Sequence, residues 1–145
     1  MRNDEKGYTL TEMLIVLAVL SVLVLIAAPA YKLPEKSEEA AFISVFESDL
    51  YEAQIRALAD GKPVHFLFDN SSSRYTIRQD LEVVNVRSFP EGLVFQERTL
   101  GPRDLRYTAN GDIYKAGSFI FRSEDGSGYR FVFPFLRGRF YHERL

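Results

Sequence analysis

The chain contains no cysteine, so no disulfide can brace it and its stability must come from packing. It has two histidines, His65 and His142, and neither is spaced from another ligand as a zinc site requires. The sequence also lacks a G-x-S-x-G elbow, a P-loop and a dinucleotide-binding fingerprint. We therefore expect neither an enzyme nor a bound cofactor or metal.

A large excess of charge of either sign is also missing, since the formal net charge is -2. That balance excludes a globally basic nucleic-acid-binding protein but leaves room for a local basic patch. Residues 31–60 carry seven acids and three bases, whereas residues 61–145 carry ten acids and thirteen bases. An acidic segment before a basic one predicts a surface with uneven charge.

The N-terminal segment combines a basic residue, a glycine, an aromatic residue and a lone acid before an apolar run. Lys6-Gly7-Tyr8 is followed by Thr9-Leu10-Thr11 and Glu12, and the apolar run Met13–Ala28 comes next. A carboxylate costs about 2.5–3.5 kcal/mol at the centre of a membrane helix and less near its end. We therefore expect Glu12 to have a partner.

This segment resembles the leader of type IV prepilins and type II secretion pseudopilins. The resemblance implies that a prepilin peptidase cuts between Gly7 and Tyr8 and methylates the new N-terminal amine of Tyr8. It also implies that Glu12 pairs with the Tyr8 ammonium of a neighbouring subunit, and that Pro29 kinks the helix. The implied partners are the peptidase, other major and minor pilins of the same fibre, and membrane lipid before assembly.

Three other interpretations of this segment stay open. Ala28-Pro29-Ala30 has the form of a signal peptidase site, which would indicate a secreted β-rich binding domain with an ordinary signal. Leu10 and Ala30 extend the run towards the ~20 apolar residues of a plain signal anchor. A buried helix of a soluble protein is the third interpretation. The acids Asp4 and Glu5 disfavour an ordinary signal, because they dilute its positive region.

The apolar residues of the next segment recur at helical spacing and predict an amphipathic helix at 35–60: Phe42, Phe46, Leu50, Ala53 and Ala57. Gly61 and Pro63 end this helix. From Val64 the period changes to two and predicts strands. Asn110-Gly111 and Asp125-Gly126 predict tight turns, and Pro134 is expected to place the strand at 129–135 near a sheet edge.

The order of these elements predicts an α+β fold. We expect a long N-terminal helix, with a membrane half and then an amphipathic half, packed on an antiparallel β-sheet as in type IV pilins. The expected divisions are a leader at 1–7, a transmembrane and assembly helix at 8–30, and a soluble pilin domain at 31–145. Within that domain the helix is expected at 35–60 and the sheet at 64–141.

The C-terminal part of the chain interleaves arginines with aromatic residues, which can bind phosphates and stack on bases. The candidate DNA-binding residues are Arg130, Arg137, Arg139 and Arg144. A solvated basic face over an aromatic core is the alternative interpretation. The glycine-spaced hairpins of this part resemble minor pseudopilins of the GspH/FimT group, some of which hold DNA through a Gly-Arg motif that Gly138-Arg139 matches in part.

Together with the absence of cysteine, these hairpins are most similar to competence (ComG-type, ComGD-like) minor pseudopilins. That resemblance implies a subunit for DNA uptake in natural transformation, with weak and non-specific DNA contact. A minor pseudopilin of a type II secretion system is the alternative within the family. The resemblance also implies a single-pass protein of the cell membrane that later reaches the surface in a pilus, with its soluble domain outside the cytoplasm.

Overall fold

The computed structural model of the chain describes residues 10–27, 35–135 and 138–145. The chain divides into two compact units, Met1–Pro34 and Glu35–Leu145. The first unit contains helix α1, and the second contains helix α2 followed by strands β1 to β8. Because α2 packs against antiparallel sheets, the predicted α+β fold is confirmed.

Helix α1 spans Leu10–Ala27 and is apolar around its whole circumference. Glu12 lies in its first turn, where the positive end of the helix dipole stabilises an acidic side chain. The hydroxyl of Ser21 donates a hydrogen bond to the carbonyl of Leu17 at 2.8 Å, so this polar group is satisfied inside the helix.

Helix α2 spans Glu35–Asp60. All five residues of the predicted apolar stripe are buried. The residue after the helix is Gly61, whose φ of +63° is the left-handed conformation that glycine adopts readily. The N–H of Lys62 donates to the carbonyl of Ala57 at 3.3 Å, as in a Schellman cap. Pro63 then cannot continue the helix.

The strands form two four-stranded antiparallel sheets. Sheet A has the order β3-β2-β1-β5 and sheet B the order β4-β6-β7-β8. The sequence predicts one antiparallel sheet at 64–141, but the chain leaves sheet A after β3 through a turn in which Gly92 has a φ of +76°. The strands are β1 (Val64–Asp69), β2 (Arg74–Gln79), β3 (Glu82–Ser88), β4 (Val94–Glu97), β5 (Arg106–Tyr107), β6 (Gly117–Arg122), β7 (Gly128–Phe133) and β8 (Tyr141–Arg144).

The prediction that Pro134 places its strand at a sheet edge is wrong. Strand β7 ends at Phe133 and pairs with β6 on one side and β8 on the other. Pro134 follows the last paired residue, so its missing N–H removes no bond from the ladder. The predicted tight turns are confirmed, with φ values of +71° at Gly111 and +86° at Gly126.

The core is an aromatic cluster between α2 and the two sheets, and Phe46 lies where both sheets meet the helix. The Phe46 side chain is fully buried. Its ring centroid lies 5.2 Å from that of Tyr75 in sheet A, and 5.1 and 5.0 Å from those of Phe121 and Phe131 in sheet B. These contacts are edge-to-face, the arrangement that aromatic quadrupoles favour. Without a disulfide, such packing holds the helix and both sheets together.

Asp49 of α2 is a buried acid that the sequence does not single out. Its carboxylate accepts hydrogen bonds from the Tyr75 hydroxyl at 2.6 Å and from Nε and Nη2 of Arg87 at 3.2 Å. Burial, and then the bond to Asp49, raise the pKa of Tyr75. The bond to Asp49 also raises the pKa of Arg87. The three residues tie α2 to β2 and β3.

Candidate assembly helix and nucleic-acid interface

Three residues that the resemblance assigns to processing and helix shape lie outside the described residues: Gly7, Tyr8 and Pro29. Cleavage after Gly7, methylation of Tyr8 and a kink at Pro29 therefore stay predictions.

Glu12, the expected assembly residue, stands at the start of an extensive exposed apolar surface. Every side chain from Leu10 to Val24 is exposed, and the large apolar ones have between 49% and 82% of their surface accessible. In the part of the chain that the structure describes, no helix has both the length and the apolarity of a membrane span. An apolar surface of this extent marks an interaction site.

Two of the predicted DNA-binding arginines, Arg130 and Arg144, lie on opposite faces of sheet B. Arg130 of β7 pairs with Glu143 of β8, and Nη1 of Arg130 lies 2.8 Å from the glutamate Oε1. Arg144 lies opposite Tyr129, and its guanidinium carbon is 5.9 Å from the ring centre. Since side chains alternate along a strand, Arg130 and Arg144 point to opposite faces. Arg139 is exposed.

Arg137 lies outside the described residues, so its role in DNA binding stays a prediction. Of the four, Arg130 already has an acidic partner at its guanidinium. A surface ion pair of this kind fits the alternative interpretation of a solvated basic face. DNA would have to compete with Glu143 for Arg130.

His142 and Gly138, which lie close to these arginines in the sequence, have structural roles in the fold. Nδ1 of His142 lies 2.9 Å from Oε1 of Glu47 on α2. Gly138 is buried and has a φ of +66°. A Cβ at this position would overlap the side-chain amide of Gln54 and the carbonyl oxygen of Gly111. The glycine of the Gly-Arg pair is therefore required by the backbone conformation and by close packing.

The serines at 71–73 lie in the turn between β1 and β2. The carboxylate of Asp69 accepts hydrogen bonds from the hydroxyls of Ser71 and Ser72 at 2.6 and 2.5 Å. These two bonds are the main reason that the pKa of Asp69 falls to about 2. Within the described ranges, no three His, Asp or Glu side chains are grouped so that they could hold a metal ion.

Sequence reasoning missed a basic row on the outer face of sheet A. His65 of β1 pairs with Arg78 of β2 on one side and with Arg106 of β5 on the other. Val64 and Phe66, the neighbours of His65, are buried in the core, so His65 points away from it. Residues directly opposite on paired strands share a face, so all three side chains lie on that face.

The two arginines of this basic row have unusual surroundings. The guanidinium carbon of Arg106 lies 3.4 Å from the ring centre of Tyr114, a stacking contact that fixes the plane of the group. Nε of Arg78 is buried and has no hydrogen-bond partner among the described residues. Burial, and then the charge of Arg106, lower the pKa of His65, so its imidazole is neutral at neutral pH.

The sequence contains only part of the information that predicts this basic row. Alternation along β1 and β2 puts His65 and Arg78 on outward positions, as the predicted strands imply. Their adjacency depends on the register between strands, and that of Arg106 depends on a strand of two residues. A sequence pattern specifies neither of these pairings.

Comparison with known proteins gives two similarities. The prokaryotic N-terminal methylation motif matches residues 2–28. The fold is similar to that of the minor pseudopilin EpsH from the Type 2 Secretion System of Vibrio cholerae. The TM-score is 0.55 and the identity 16%, over 73% of this chain and 96% of that chain. No curated protein sequence matches the chain significantly. The chain therefore carries an N-terminal methylation motif and has a fold similar to that of one minor pseudopilin.

Proposed function

We propose that the chain is a minor pseudopilin of a pilus-like machine. In this proposal a prepilin peptidase removes residues 1–7 and methylates Tyr8, residues 8–30 anchor the chain in the membrane, and residues 31–145 form the soluble domain outside the cytoplasm. The observation that carries the proposal is the methylation motif at residues 2–28, which includes helix α1, whose described side chains are exposed and mainly apolar. Other pilins would cover that helix after assembly.

The proposed task of the machine is DNA uptake in natural transformation. The excess of bases over acids in residues 61–145 supports contact with a polyanion, because basic patches attract nucleic acid. EpsH belongs to a secretion system, which favours type II secretion as the second candidate. A secreted or anchored binding domain with an ordinary signal is a third.

Deleting the gene in the organism that encodes the chain distinguishes these functions. DNA uptake predicts loss of transformation with normal secretion of folded proteins, and complementation should restore transformation. Loss of secretion with normal transformation would instead identify the secretion machine. If both processes continue normally in the deletion strain and sheared surface fibres of the wild type lack the chain, the pseudopilin proposal fails.

A further inference from the structure

We propose that the basic row on the outer face of sheet A binds phosphate groups of DNA through Arg78 and Arg106, with His65 between them. The identity of the polyanion as DNA rests on the proposed function, whereas the anion site rests on its own geometry. The site is separate from the C-terminal arginines that the sequence suggests.

The spacing of the row suits a repeating anion. Neighbouring strands lie about 4.8 Å apart, so Arg78 and Arg106, which flank His65 on either side, are about 10 Å apart at their backbones. Successive phosphates of a DNA strand rise about 3.4 Å along a helix axis. Two arginine side chains that start from backbones at this separation can therefore reach different phosphates of one strand.

Neither arginine is neutralised by an acid within the described residues. Arg87 and Arg130, by contrast, pair with Asp49 and Glu143. Stacking on Tyr114 orients Arg106 but uses none of its N–H groups, so the stacking contact leaves its five donors in the guanidinium plane for other partners. The buried Nε of Arg78, unpartnered within the described ranges, is a donor whose desolvation a bound oxyanion would offset.

His65 contributes a donor without adding a third charge. The charged groups that act on its imidazole are Arg106 of β5, which lowers its pKa, and Asp80 after β2, which raises it. The carboxylate of Asp80 is paired with Lys62 at 2.8 Å. A neutral imidazole keeps one N–H, so His65 can donate to a phosphate oxygen between the two arginines.

The test uses the full chain in nonionic detergent micelles, titrated with a labelled single-stranded oligonucleotide at several salt concentrations. The wild type should bind in the non-specific range, with a dissociation constant of roughly 10⁻⁴–10⁻⁶ M. Losing two phosphate contacts in Arg78→Gln/Arg106→Gln should lower the salt slope by about 1.4. Between about 50 and 200 mM salt, this variant should lose about sevenfold less affinity than the wild type.

The matched control is Arg98→Gln/Arg103→Gln, which removes the same charge from two exposed positions outside both candidate sites and should keep most of the salt slope. Tyr114→Ala leaves both arginines in place and should weaken binding by releasing Arg106. Circular dichroism and thermal unfolding establish that each variant is folded. Restoration of the slope by Arg78→Lys/Arg106→Lys would support phosphate contact by charge at these positions.

Three outcomes overturn the inference. The first is that the folded wild type does not bind the oligonucleotide at low salt. The second is that the two double glutamine variants lose equal parts of the salt slope. The third is that polyglutamate competes as effectively as DNA, which would indicate an acidic protein partner. Failure of the proposed function would give a different result. Normal transformation by Arg78→Gln/Arg106→Gln, despite lost DNA binding, would leave the anion site intact and remove its role in uptake.

Discussion

Replacing Phe46 with alanine tests whether one side chain of α2 holds the two sheets together. Phe46 is fully buried and contacts rings of both sheets. Its removal leaves a cavity that neither the helix nor the sheets can close without moving. Ile55 lies on the same helix but is 65% exposed, so Ile55→Ala is a matched control that removes an apolar side chain from the opposite face.

The expected magnitude follows from burial. Truncating a buried phenylalanine costs about 3–5 kcal/mol, and the lost edge-to-face contacts with Tyr75 and Phe131 favour the upper half of that range. A typical domain has a free energy of unfolding of about 5–15 kcal/mol, so the loss is a large fraction of the total. For Ile55→Ala we expect a change of no more than about 0.5 kcal/mol.

Urea unfolding of the full chain in detergent micelles measures both variants. The chain has eight tyrosines and no tryptophan, so near-ultraviolet circular dichroism of tyrosine reports on the core. With a slope of about 2 kcal/mol/M, the midpoint for Phe46→Ala should fall by about 2 M. Equal midpoints for Phe46→Ala and Ile55→Ala would refute the assignment of Phe46 to the centre of the core.

Three further predictions concern assembly, packing and pH. Glu12→Val should still enter the membrane but not sheared fibres, whereas Glu12→Asp should retain some incorporation; normal incorporation of Glu12→Val would contradict the pairing role. Gly138→Ala should lower the free energy of unfolding by about 2 kcal/mol or more, through its positive φ and the overlap with Gln54. Gly126→Ala, with the same sign of φ but open space, should cost only about 1 kcal/mol, and equal losses would contradict the packing argument. Because the pKa of His65 is lowered in the folded state, the unfolded chain binds more protons as pH falls through about 6.5, so stability should drop there. His65→Gln should remove this part of the drop in the free energy of unfolding, measured from pH 7.5 to 5.5. An unchanged pH profile in this variant would contradict the role given to His65.

The helix and most strands of the second unit could be predicted from local patterns, but strand β8 begins at residue 141, where the predicted sheet ends. The stripe from Phe42 to Ala57 is buried because helical spacing puts those residues on one face. The period-two alternation from Val64 likewise matches the burial of β1. The division into two sheets could not be predicted, because it depends on β4 pairing with β6, far along the chain. The prediction of an edge strand from Pro134 failed for a related reason, because the effect of a proline depends on where the hydrogen-bonded ladder ends.

The basic surfaces show the same limit. Arg130, Arg139 and Arg144 are close in sequence, yet Arg130 and Arg144 point to opposite faces of sheet B. Arg78 and Arg106 are distant in sequence, yet both lie beside His65. Proximity along the chain is thus a poor guide to a charged surface on a sheet, because the register decides which side chains meet.

The mass of the mature N-terminus tests the central claim most directly. Purified from membranes of the organism that encodes it, the chain should begin at Tyr8 and carry one added methyl group, and Gly7→Val should leave an uncut, membrane-bound precursor. A mature chain that begins at Tyr31 would instead show cleavage at the Ala28-Pro29-Ala30 signal. That result would contradict the pseudopilin proposal, because the helix with Glu12 would then be absent from the mature protein.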